Sequence, residues 1–334
     1  MIREALLVKE YRGGMLECIH NGHICIVDEY GAIKKQAGDP RFRVFTRSAA
    51  KPIQAIPGVR AGLIPHYGLN EAEVAIMTAS HRAQQPHVET LESLLRKTGL
   101  QEQRLVCASA LPLDREARSR LLREGGGSRK LYHNCSGKHL GIQAYCKMAS
   151  MTQDHYNDPA HPVQREILAV LADLADYPAE DIRLATDGCG LPVFNLPLSS
   201  LATAYMKLAC PDRIEDPQTA EAARSIAAAM NKHPEMVGGS GRIDTLLLED
   251  DNIVAKGGFK GVYAFSLRKE RLGIAFKIMD GSEEEWGLIV QEILRQLGYQ
   301  NTDTLQRLKE SFGGIIHNDE GWEVGSSEAA FVLE

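Results

Sequence analysis

The chain has 334 residues, 44% of them hydrophobic and 25% charged, with a net charge of -6. That length suffices for one large domain or two closely packed lobes, and the negative balance leaves no basic footprint for nucleic acid or an anionic membrane. Seven cysteines, odd in number and irregular in spacing, argue against a disulfide framework and for a reducing compartment. No apolar run near the start is long enough for a signal peptide and none approaches membrane-spanning length, so a cytoplasmic protein is expected.

The chain opens on short apolar runs broken by turn signals. Asn21-Gly22 sits between residues 16–19 and 24–27 and predicts a β-hairpin, and Tyr30-Gly31 marks the next turn. Val44-Phe45-Thr46 then leads into Arg47-Ser48-Ala49-Ala50-Lys51-Pro52, followed by apolar residues at helical spacing. This predicts a strand turning into a helix, with Ser48 near the helix start. Residues 63–66 read as a linker ended by Pro65. Asn70 and Glu73 predict a capping box for a helix too apolar for the surface, which runs into Ser80-His81-Arg82. Residues 87–97 form an amphipathic helix closed by Gly99, residues 105–113 are irregular, and 114–124 read as a charged surface helix. Gly125-Gly126-Gly127-Ser128 is a loop.

His133-Asn134-Cys135-Ser136-Gly137-Lys138-His139 opens a helix that continues to about Met148, and His161-Pro162 opens another through Leu174. Asp187-Gly188-Cys189-Gly190-Leu191-Pro192 is too dense in small residues for regular structure. Helices over 198–209 and 217–232 follow, then a tight loop at residues 237–242 and a short helix through Leu248. Strand patterns return at 253–256, 261–265 and 272–278. Ser282 and Glu285 predict a capping box for a helix over 286–297, and residues 328–333 read as a final strand. Strands at both ends around a helical middle predict an α+β fold. Its antiparallel sheet would come from both chain ends, with a helical lobe inserted at about 60–235, all within a single domain of residues 1–334.

Chemistry concentrates in three places. Ser48 and Lys51 lie three residues apart, on one face of the predicted helix. A neutral lysine amine can take the proton of a serine hydroxyl and make it a nucleophile, and the positive end of the helix favours the resulting alkoxide. This is the Ser-x-x-Lys spacing of serine β-lactamases and penicillin-binding proteins, although a Ser N-cap followed by a solvated Lys has the same pattern. Lys256-Gly257-Gly258 follows a strand-like run, where such enzymes carry a Lys-Thr/Ser-Gly box. Finally, Cys135, Lys138, His139 and Cys189 offer two thiolates and a nitrogen, a set that suits Zn²⁺ with one open position. Two buried cysteines acting as small apolar residues would read the same way.

Four peptides together resemble the rhizobial-type (class 3) L-asparaginases of the asparaginase II family: residues 45–52, 133–139, 187–192 and 239–242, in the family's order. The resemblance implies a fold similar to serine β-lactamases and glutaminases. It implies two Ser-Lys pairs, Ser48 with Lys51 and Ser80 with Lys256, and a zinc held by Cys135, Lys138 and Cys189 that helps bind substrate. Arg47, Asn134, His139, Asp187 and Arg242 become candidates for contacts with the substrate's carboxylate and amine. The chain departs from the family pattern at Arg82-Ala83-Gln84 after Ser80-His81, and at Gly258-Phe259-Lys260-Gly261 after Lys256, where Lys260 stands in place of an acidic residue. The segment 107–113 also lacks an expected Gly-Pro-His.

The activity implied is hydrolysis of L-asparagine to aspartate and ammonia, with Ser48 attacking, Lys51 taking its proton, and backbone N–H groups at the helix start holding the oxyanion. A glutaminase, a β-lactamase-like amide hydrolase and a zinc-stabilised binding protein without turnover are the alternatives. The expected partners are a small amide substrate and a second copy of the chain in a homodimer, with no nucleic acid and no membrane.

Overall fold

The computed structural model describes residues 4–334. Strand β1 (Ala5–Arg12) turns at Gly13-Gly14 into β2 (Met15–Val27), a single strand of 13 residues. The hairpin expected at Asn21-Gly22 is therefore absent, because that dipeptide lies inside β2. Gly22 instead marks the point where β2 changes neighbour. It ends the register with β1 opposite Ala5 and begins the register with β9 (Leu272–Ile278) opposite Ile278. A Cβ there would lie 2.0 Å from the Lys277 carbonyl oxygen, so the glycine serves a close approach rather than a turn.

The remaining strands of this sheet are β3 (Ile33–Ala37), β7 (Ile253–Gly257), β8 (Val262–Leu267), β10 (Ile315–His317) and β11 (Glu323–Ala329). Their order is β10-β11-β1-β2-β9-β8-β7, with β3 beside the later half of β2, and every pairing is antiparallel. Both ends of the described chain thus meet in one sheet, as the pattern predicts. Side-chain alternation divides the core. Cys25, Val27, Val254 and Ala264 pack with the helical segments between residues 47 and 232, while Ile24, Ile26, Tyr263 and Phe265 pack with Ile289, Ile293 and Leu308. Each fully buried aliphatic or aromatic side chain contributes about 1.5–3 kcal/mol, so the sheet is held from both faces.

A second, three-stranded sheet consists of β4 (Arg43–Phe45), β6 (Pro192–Pro197) and β5 (Arg183–Thr186). The two later strands flank the glycine-rich turn and were not foreseen. Residues 63–66 are not a linker but lie within a short helix, Leu63–Tyr67; Pro65 stands in its first turn, where a missing N–H costs no helical bond. The helix Trp286–Gln296 starts without a capping box. Its Glu285 turns instead toward His20, 3.5 Å away. A helix at Thr302–Ser311 was also unforeseen, and the last strand ends at Ala329 rather than Leu333. Among the described residues no helix is long and apolar enough to cross a membrane.

Candidate active site

Strand β4 ends at Phe45, and the N–H of the next residue, Thr46, donates to the Phe194 carbonyl at 2.8 Å. The chain then bends at Arg47, which holds a left-handed φ of 49°. Such a conformation in a non-glycine residue costs on the order of 1–3 kcal/mol and persists where its surroundings fix it. Here the Arg47 guanidinium pairs with Asp187 at 2.8 Å and lies 5.1 Å over the Phe259 ring. The bend delivers Ser48 into a 3₁₀ turn, Arg47–Ala50, that continues as the helix Lys51–Arg60.

The sequence pairs Lys51 with Ser48, but the Lys51 Nζ reaches another serine. It lies 3.1 Å from Ser80 Oγ, 2.5 Å from the Ala79 carbonyl and 3.3 Å from the Asn134 carbonyl. Lys51 is fully buried, and that burial brings its amine down to about 8. The Ser48 hydroxyl has no hydrogen-bond partner among the described residues. Lys256, expected beside Ser80, instead meets Asp244 at 2.5 Å and the Gly257 carbonyl at 2.9 Å. Burial alone would raise the Asp244 carboxyl, but Lys256, the Tyr263 hydroxyl and the Gly257 N–H, the last two at 2.8 Å, hold it below the usual range.

Ser80 follows the helix Glu71–Met77 and is fixed through its own N–H to the Val237 carbonyl and through its neighbour His81. The His81 Nδ1 accepts the Ala83 N–H at 3.2 Å, so Nε2 carries the proton and donates to Ser136 Oγ at 2.8 Å. Burial keeps this imidazole neutral. Ser136 opens the helix Ser136–Met148, which approaches Ser80's helix very closely. A Cβ at Gly137 would sit 2.0 Å from the Ile76 carbonyl oxygen. That contact brings Cys135 and Lys138 toward the serines.

A cavity of about 400 Å³ gathers most of the candidates along its lining: Arg47, Ser48, Ser80, Asn134, Cys135 and Asp187, with Cys189, Arg242 and Lys256. Lys51 and Lys138 are buried and not on its lining. His139 is the exception among the substrate candidates. It is wholly buried, bonds Tyr156 through Nδ1 at 2.6 Å, and does not line the cavity, so it is a core residue rather than a substrate contact. Of the departures from the family pattern, Arg82 lines the cavity and donates to the Leu113 carbonyl at 3.1 Å. Phe259 lines it too, while the Lys260 side chain stays off the wall. Asp244, Glu283 and Trp286 also line it and lie outside the motifs that the sequence offers. A signal for Asp244 was present, two residues beyond the Gly239-Ser240-Gly241-Arg242 loop, since an acidic residue in an apolar helix needs a buried partner.

The donor set expected for zinc also converges. The Lys138 amine donates to Cys189 Sγ at 3.2 Å. Cys135 is drawn below the usual thiol range by the neighbouring Cys189 and by the Lys51 and Lys138 amines. Burial alone would lower Lys138, but the adjacent sulfurs keep its amine above the usual range. Two sulfurs and a nitrogen, all nearly buried, are a donor set whose chemistry fits an ion of the zinc class, and both sulfurs line the cavity.

Residues 8–329 match the family model described as L-asparaginase II, and the chain belongs to that family. It is accordingly an amidohydrolase. No curated protein matches the chain. Among solved structures it is similar to a β-lactamase from Sphaerobacter thermophilus DSM 20745, at 14% identity over 84% of this chain and 93% of that one, with a TM-score of 0.42. A Bacillus glutaminase is similar at 13% identity over 83% and 91%, with a TM-score of 0.38. A β-lactamase from Mycobacterium bovis is similar at 11% identity over 82% and 94%, with a TM-score of 0.39.

Proposed function

We propose that the chain hydrolyses the side-chain amide of L-asparagine, giving L-aspartate and ammonia, with Lys51 as the general base. The observation that carries this reading is the setting of the Lys51 amine. Two of its three neighbours are carbonyl oxygens, which can only accept, so a neutral amine spends both N–H bonds on Ala79 and Asn134. Its lone pair is then left for the Ser80 hydroxyl proton. The hydroxyl oxygen attacks the amide carbon as Lys51 takes the proton. Lys51 returns that proton to the nitrogen as the C–N bond breaks, and ammonia leaves. Water, giving a proton to the same amine, attacks the resulting ester and frees aspartate and the serine.

Ser80 is the attacking oxygen in this scheme, because Lys51 touches it directly. A second reading has Ser48 attack and pass its proton through Ser80. It is favoured by the Ser48 hydroxyl, which lines the cavity, starts the helix and is engaged by no other group among the described residues. The cavity offers cations at Arg47, Arg82 and Arg242 and anions at Asp187 and Glu283, a pattern suited to a zwitterionic amino acid. Cys135, Lys138 and Cys189 would hold Zn²⁺ beside it, and the bound ion would supply a Lewis acid that fixes a polar group of the substrate. A homodimer belongs to the same proposal.

Ammonia release from asparagine, glutamine and a chromogenic β-lactam, assayed side by side, tests the assignment. Preference for asparagine supports it. Equal kcat/KM for glutamine shifts the reading to a broad amidase, opening of the β-lactam alone shifts it to a β-lactamase, and no turnover of any leaves a binding protein.

A further inference from the structure

The strand pair β1–β2 carries another convergence of ligating side chains, none of which lines the catalytic cavity. Strand alternation puts Cys18 and His20 on one face of β2, and the antiparallel register sets Glu10 opposite Cys18. One ligand atom from each of Glu10, Cys18 and His20 lies within 4.8 Å of the others. Glu285 approaches His20 from the start of the helix Trp286–Gln296. Its Oε1 is 3.5 Å from His20 Nε2, and Glu10 Oε2 is 3.8 Å from the same nitrogen. His20 is only 7% exposed and Glu285 only 4%. Yet His20 Nε2 and Glu285 Oε2 are buried without any hydrogen-bond partner among the described residues.

Orientation and charge both point to a cation. Asp280 Oδ2 lies 2.6 Å from His20 Nδ1, so that nitrogen donates its proton to the carboxylate and Nε2 faces Glu10 and Glu285. A carboxylate behind the imidazole is the usual way a metal-ligating histidine is held. Three carboxylates face this one imidazole, and among the described residues no lysine or arginine lies within ion-pair distance of Glu10, Asp280 or Glu285. Glu10 is pre-set as well, since its Oε1 takes the Ser327 hydroxyl at 3.0 Å and leaves Oε2 toward the centre. Separations of 3.5 and 3.8 Å between donors suit an ion about 2 Å from each.

We propose that Glu10, Cys18, His20 and Glu285 form a divalent-metal site of the zinc class, which ties the β1–β2 hairpin to the first turn of the helix Trp286–Gln296. One thiolate and one imidazole among the four donors select a borderline ion over magnesium or calcium. The exposed Cys18 gives the ion its way in and loses its proton on binding. The site stands independently of the catalytic proposal.

Cobalt titration of chelator-stripped Cys135→Ser/Cys189→Ser protein tests it, because that variant lacks the thiols of the cavity. One equivalent should bind with a thiolate-to-cobalt absorption in the near ultraviolet. Cys18→Ser should remove the absorption, and Asp280→Asn should weaken binding about tenfold or more. Zinc should raise the melting temperature of the same protein, and His20→Gln should cancel that rise. If the double variant does not fold, the titration is read on the otherwise unaltered chain as a second equivalent that Cys18→Ser, at an exposed position, removes. No cobalt binding beyond the cavity site, or binding and absorption indifferent to both Cys18→Ser and Asp280→Asn, overturns the site. His20 would then be an imidazolium held among carboxylates.

Discussion

The Lys51 amine and the Ser80 hydroxyl are 3.1 Å apart, although 29 residues separate them in sequence. The serine at one-turn spacing, Ser48, lines the same cavity as Ser80 but has no part in that hydrogen bond. Proton transfer to Lys51 therefore begins at a residue delivered by a different helix, and the geometry of two elements sets its efficiency.

The pH profile follows from this. Lys51 is brought down to about 8 by burial and serves as base only when unprotonated. The kcat/KM for asparagine should fall about tenfold per unit as pH drops below that value and level off above it. Lys51→Arg, which cannot deprotonate, should be inactive at every pH. A profile already flat in the slightly acidic range would remove Lys51 from the role of base.

Ser80→Ala takes away the one hydroxyl in contact with the base, and kcat should fall by on the order of 10⁴-fold or more while the fold is kept. Trapping the ester and mapping it by peptide mass distinguishes the two serines. The expected modification is on Ser80. An ester on Ser48, with Ser48→Ala inactive, assigns the attack to Ser48 and leaves Ser80 as the relay.

Asp244 and Lys256 form a buried pair whose members are 5% and 1% exposed. Removing one partner leaves the other charge stranded, at a cost of about 3–5 kcal/mol. Asp244→Ala should show this in urea unfolding, together with loss of the Tyr263 and Gly257 hydrogen bonds. A change below about 1 kcal/mol, the size typical of an exposed pair, would mean that Lys256 is not held as a cation.

Zinc proposed at Cys135, Lys138 and Cys189 would compete with protons for every ligand, so its release should accompany acidification. If the ion serves substrate binding, Cys135→Ala should raise KM far more than it lowers kcat. Elemental analysis of protein purified without chelator should find the metal. Zinc lost from Cys135→Ala with KM unchanged would leave the ion a purely structural part.

Local sequence carried much of this architecture. The helix after Asn70 starts with the capping box its residues predict, the helices at Leu198–Ala209 and Pro217–Lys232 run as their periodicity sets them, and the strand-to-helix passage at Ser48 is present. What local pattern could not carry was partnership. Asn21-Gly22 has the composition of a turn, but the neighbouring β9 takes Gly22 for a close approach. Ser282 and Glu285 have capping-box spacing, but the helix begins at Trp286 without that box and the glutamate faces His20. Nothing at Lys51 or Lys256 announces Ser80 or Asp244, since those contacts depend on how whole helices are laid together. His139 has the spacing of its neighbours Cys135 and Lys138, but its side chain ends against Tyr156 in the core.

The closing of the main sheet by residues from opposite ends of the described chain has a bearing on how the molecule is made. Strand β1 needs β11 along one edge, and the partners Tyr11 and Glu328 stand 317 positions apart. A ribosome delivers β1 long before β11, and in the interval that edge offers unpaired N–H and C=O groups to any passing strand. Contacts of such long range also slow folding. The nascent chain can assemble its helices early, but the main sheet is completed only after β11 emerges, and until then one border stays open to misassembly.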